Sequence, residues 1–82
     1  MLPGVYRAHM KNGKLYFRAS ITYMGKNISL GSFSDEDDAH RAYLQAQEVL
    51  SDTKKWGIIN YPENALLSFE KWVVLINVRD NG

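Results

Sequence analysis

The sequence predicts an α+β fold: a three-stranded antiparallel sheet packed on one amphipathic helix, followed by a C-terminal segment that reads as helical. Three observations predict it. Residues 15–23 alternate apolar and polar side chains with the period of a half-buried strand. Turn chemistry flanks them at 11–14 and 24–26, and residues 34–51 change to helical spacing behind a capping oxygen.

Residues 5–10 form the first expected strand, ended by Lys11-Asn12-Gly13-Lys14, where Asn-Gly supplies the positive φ values of a tight hairpin turn. In the second strand, residues 15–23, Phe17, Ala19, Ile21 and Tyr23 fall on one side and Tyr16, Arg18, Ser20 and Thr22 on the other. Met24-Gly25-Lys26 makes the next turn, and residues 27–30 make the third strand, ending before Gly31. Ser34 is the expected N-cap of the helix, with Asp37 placed to reach back and the acids at 35–38 at the positive end of the helix dipole. Ala39, Ala42, Tyr43, Ala46, Val49 and Leu50 then recur at spacings of three and four, and the alanines let the helix lie close on Phe17, Ala19, Ile21, Ile28 and Leu30. One helix covers one face, so the side with Tyr16, Arg18, Ser20, Thr22, Asn27 and Ser29 stays open.

A chain of 82 residues builds one core, with residues 1–63 as the sheet-and-helix domain and 64–82 as an extension. No apolar run approaches the roughly 20 residues that span a bilayer, and no cysteine offers a disulfide or thiolate site. The first residues lack the apolar run of a signal peptide, so an intracellular location is expected. The net charge of +1 hides a segregation: residues 1–33 hold five basic residues and no acidic one, while residues 34–52 hold six acidic residues against Arg41 alone. A two-faced domain with its partner on the basic side fits this asymmetry.

An open narrow sheet with cations and aromatics has the shape of an element that enters the major groove, about 12 Å wide. Arg18 suits a guanine edge and Asn27 an adenine; Ser20, Thr22 and Ser29 suit bases or phosphate, and Tyr6 and Tyr16 offer flat contacts. Arg7 and the turn lysines Lys11, Lys14 and Lys26 are expected at the sugar-phosphate backbone. Double-stranded DNA is therefore the expected partner.

Five segments carry a more specific signal: "GVYR" at 4–7, "FRASI" at 17–21, "GKNISLGSF" at 25–33, "DEDDAHRAY" at 35–43 and "GIINYPE" at 57–63. In this order and spacing they resemble the APETALA-two/ethylene-response-factor type of DNA-binding domain. That family lays a three-stranded sheet in the major groove with a helix behind it. The resemblance implies groove-facing positions at Tyr6 and Ala8 in the first strand, Arg18, Ser20 and Thr22 in the second, and Asn27 and Ser29 in the third. The plant domains are rich in arginine and tryptophan there. Here only Arg18 is cationic and the sheet holds no tryptophan, so the sequence looks more like the bacterial and phage relatives, which often accompany an integrase or HNH endonuclease domain. The implied role is transcription regulation or DNA targeting in a mobile-element protein.

Residues 64–82 place Leu66, Phe69, Trp72 or Val73, and Ile76 at helical spacing, although residues 73–78 are rich in β-branched side chains and could instead extend as a strand. Two roles are open to them. They pack on the domain, or they form a homodimer surface, on the argument that Leu66, Leu67, Trp72 and Val74 cannot all face one small domain. The alternative to DNA binding is a protein-interaction module using the open sheet or this tail. Catalysis is not expected. His9 and His40, the two histidines, read as surface residues, and Asp35, Glu36, Asp37 and Asp38 lack the spacing of a calcium loop. No serine sits in a nucleophile elbow, and neither a metal nor a cofactor is implied.

Overall fold

Alternation and turn chemistry produce the sheet first. The computed structural model, which describes residues 2–51 and 56–81, holds three strands: β1 (Val5–His9), β2 (Leu15–Tyr23) and β3 (Lys26–Phe33). They form one antiparallel sheet in the order β1-β2-β3. Helix α1 (Glu36–Ser51) packs on one face, a 3₁₀ turn spans Ile58–Asn60, and helix α2 (Phe69–Asn81) packs against α1.

The hairpins differ from each other in a way that local backbone preferences explain. In the first, only Gly13 is left-handed, at φ +85°, and Asn12 is not. Met10 N donates to Lys14 O at 2.9 Å and Gly13 N to Met10 O at 2.9 Å, so the loop has three residues with its glycine at the left-handed position. Asn12 contributes through its side chain, accepting from Lys14 N at 3.0 Å. The second hairpin is the tight one. Tyr23 pairs with Lys26, and the two residues between them, Met24 at φ 52° and Gly25 at φ 79°, are both left-handed, the signature of a type I′ turn.

β3 does not end before Gly31 as expected but runs on to Phe33. Ser20 pairs with Ser29 but Ala19 pairs with Gly31, so Leu30 is an extra residue and the register slips by one. Gly31, at φ +128°, accommodates a backbone that a side chain resists. The slip puts Phe33 opposite Phe17 on the helix side and sends Ser32 to the open side opposite Arg18.

The longer strand also moves the helix start. Ser34 lies in the bend between strand and helix, and Asp35 is the cap: its Oδ1 accepts from Asp37 N at 2.8 Å and its carbonyl accepts from Ala39 N at 3.1 Å. Glu36, Asp37 and Asp38 fill the first turn, as the dipole favours. Ala39, Ala42 and Ala46 are fully buried against Val5, Ala19, Ile21, Ile28 and Leu30. A ring from α1 also fixes the approach to β1. Gly4, at φ +77°, lies under Tyr43, and a Cβ there would overlap that ring. His40 Nδ1 lies 3.1 Å from Pro3 O and the ring stacks near Tyr43, so His40 anchors the N-terminal segment and is half-buried rather than a plain surface residue.

The tail folds onto its own domain. Leu67, Trp72, Leu75 and Ile76 are buried and Leu66 is half-buried against them, while Phe69 and Val74 stay exposed. Trp56 and Tyr61 meet Trp72 edge-on at ring-centroid distances of 5.6 Å each, and Trp72 Nε1 donates to Gly57 O at 2.9 Å. Arg79 completes the joint. Its side chain is 5 % exposed, and its Nη1 donates to Val49 O at 3.1 Å and to Trp56 O at 2.7 Å. A guanidinium from α2 thus supplies the positive charge that the last turn of α1 lacks. Among the described residues no helix is long and apolar enough to cross a membrane.

Candidate nucleic-acid interface

The pairing register decides which side chains share the uncovered face. Tyr6 pairs with Arg18 and Ala8 with Tyr16; across the second ladder Arg18 pairs with Ser32, Ser20 with Ser29, and Thr22 with Asn27. Directly paired residues project to the same side, so all eight residues expected to face bases stand together: Tyr6, Ala8, Tyr16, Arg18, Ser20, Thr22, Asn27 and Ser29. Arg18, Thr22, Asn27 and Ser29 are exposed, Tyr6 is exposed by 56 %, and Ala8, Tyr16 and Ser20 are half-buried. Ser32 joins them because of the bulge. Simple alternation through Leu30 puts it on the wrong side, and the one available signal was the shift from a spacing of two (Ile28, Leu30) to three (Leu30, Phe33) across a glycine.

At the centre of this face lies a depression of about 250 Å³ lined by Tyr6, Arg18, Ala19, Ser20, Asn27 and Ser29. Its floor is low because the Ser20–Ser29 pair is small, while Arg18 on one side and the Thr22–Asn27 pair on the other stand higher. Asn27 Nδ2 donates to Thr22 Oγ1 at 3.3 Å across the two strands. No acidic residue occurs in the three strands, whereas the first turn of α1 behind them carries three. The face turned away from the helix thus carries Arg18 and no carboxylate.

The cations expected at phosphates occupy the margins. Lys11 and Lys14 sit at the β1–β2 loop, both exposed. Lys26 follows the type I′ turn at the opposite end, paired with Tyr23. Arg7 pairs with Phe17, so the register sets it toward the helix side of the edge strand β1, exposed. His9 pairs with Leu15 and shares that side.

A groove of about 670 Å³ between the end of β2 and α1 is lined by a single carboxylate, Glu48, whose Oε1 accepts from Trp56 Nε1 at 3.2 Å. Among the described residues no group of three or more His, Cys, Asp or Glu side chains is placed to hold a metal ion. Compared with known proteins, the chain matches no family model, no curated protein and no solved structure.

Proposed function

We propose that this chain is a sequence-reading double-stranded DNA-binding module that inserts the open face of its sheet into the major groove and performs no catalysis of its own. The observation that carries the reading is the composition of that face: one helix covers the apolar side, and the other presents aligned Tyr6, Arg18, Ser32, Ser20, Ser29, Thr22 and Asn27 with no carboxylate among them. These side chains have the donors and acceptors that base edges require, and the lysines at both ends of the hairpins suit flanking phosphates. The resemblance to the APETALA-two/ethylene-response-factor type, carried by the quoted segments alone, supports the same reading. It suggests an intracellular protein that regulates transcription or targets a mobile element. A single domain is proposed as the reading unit, because the apolar residues that argued for a homodimer through 64–82 are largely spent inside the chain.

The test is fluorescence-anisotropy titration of labelled duplex DNA at several salt concentrations. Neutralising about three to four phosphates gives a log–log salt slope near −3 to −4, equivalent to about a hundredfold loss between 50 and 200 mM salt. Arg18→Ala is expected to cost roughly 1–3 kcal/mol on the preferred site and to relax selection at one base pair, whereas Lys14→Ala lowers affinity for all duplexes alike and reduces the slope by about one unit. A salt-independent affinity, or no binding to any duplex, rejects the proposal in favour of a protein partner for the same face.

A further inference from the structure

We infer that Thr22 is a positioning residue which holds the Asn27 amide for adenine, and that the sheet selects a guanine and an adenine about three to four base pairs apart. The inference rests on the DNA-binding reading and adds its specificity. Asn27 and Thr22 face each other across β2 and β3, and Asn27 Nδ2 donates one of its two N–H groups to Thr22 Oγ1 at 3.3 Å. That leaves one N–H and the Oδ1 acceptor. The major-groove edge of adenine offers the matching acceptor and donor, N7 and the N6 amino group, while guanine offers two acceptors. An amide already turned by a neighbouring hydroxyl loses less rotamer freedom on binding than a free one, which sharpens discrimination as well as affinity.

The spacing comes from the strand itself. Arg18 and Thr22 lie four residues apart on β2 and project to the same side, so at about 3.3 Å per residue they are about 13 Å apart. Stacked bases rise about 3.4 Å per step and the groove path is inclined, which converts this span to about three to four base pairs for a strand running along the groove. Between the two readers lie Ser20 and Ser29, paired on the floor of the 250 Å³ depression. These short hydroxyls leave room for base edges and water and impose weak selection on the intervening pairs.

The experiment begins with selection of wild-type sites from a random duplex pool, followed by anisotropy titration of the selected duplex and of a duplex with the adenine pair replaced by a guanine pair. The wild type is expected to recover guanine and adenine at the stated spacing and to prefer the adenine duplex by about tenfold. Thr22→Val removes the hydroxyl while keeping shape and strand propensity, and is expected to reduce that preference to about twofold with the salt slope and melting temperature unchanged; Thr22→Ser restores it. Thr22→Val with undiminished preference, or a selected site lacking the adenine, overturns the inference while duplex binding stands. A wild type that binds no duplex overturns the DNA-binding reading as well, and the salt titration registers that failure separately.

Discussion

Replacing Gly4 by alanine is the sharpest test of how α1 and the sheet are locked together. The residue is at φ +77°, and a Cβ there would overlap the Cγ, Cδ1 and Cε1 atoms of the Tyr43 ring. A left-handed alanine costs about 1–2 kcal/mol and the overpacking about 1–3 kcal/mol, offset by about 0.4–1 kcal/mol from a stiffer unfolded chain. The net loss is about 1–5 kcal/mol, a large part of the roughly 4–12 kcal/mol expected for a chain of 82 residues. Urea denaturation followed by circular dichroism measures it. The ring is separated from the backbone effect by repeating the substitution in a Tyr43→Ala background, where only the left-handed cost and its offset remain and Gly4→Ala should lose no more than about 1.6 kcal/mol. An equal loss in both backgrounds, or a wild-type loss below about 1 kcal/mol, refutes the packing of Tyr43 over this glycine.

The type I′ turn places a methionine at φ 52°, so Met24→Asn, which creates the favoured Asn-Gly pair, should stabilise by about 0.5–1 kcal/mol and raise the melting temperature by about 2–8 °C in calorimetry. Arg79→Met keeps the stem and removes the guanidinium, leaving the Val49 and Trp56 carbonyls without this donor; a loss of about 2–4 kcal/mol is expected in denaturation followed by tryptophan fluorescence, with no rescue by Arg79→Lys. Ala42→Leu should overpack the helix–sheet contact by about 1–3 kcal/mol, and an unchanged melting curve would show that α1 docks by another side.

Period-two alternation in residues 15–23 and the three-four spacing of Ala39, Ala42, Ala46, Val49 and Leu50 made the sheet face and the helix stripe legible, because both reflect the division between a buried and a wet side. What escaped were features set by non-local geometry. The bulge at Leu30 depends on how Gly31 meets Ala19, and with it went the true end of β3, the placing of Ser32 and the transfer of the cap from Ser34 to Asp35. The tail is legible only in part: its spacing favours a helix against the β-branched run at 73–78, but which residues it buries follows from the angle at which it meets α1. Leu75 and Arg79 acquire their importance only there. The open-face residues were legible because strand direction fixes them; the Thr22–Asn27 hydrogen bond needed the register of two strands.

The joint made by α2 has a consequence for how the molecule opens. Its contacts fall mainly on α1 and the 3₁₀ turn, whereas the sheet draws its cover from the alanine stripe of α1. Native-state hydrogen exchange should therefore resolve two tiers: amides of α2 and the last turn of α1 exchanging together through a partial opening, and amides of β2 exchanging only with global unfolding. In that partially opened form Trp72, Leu75 and Ile76 become reachable by a protease while the three strands keep their pairing. The first nick during limited digestion should thus fall C-terminal to Ser51, leaving a fragment whose sheet face is intact.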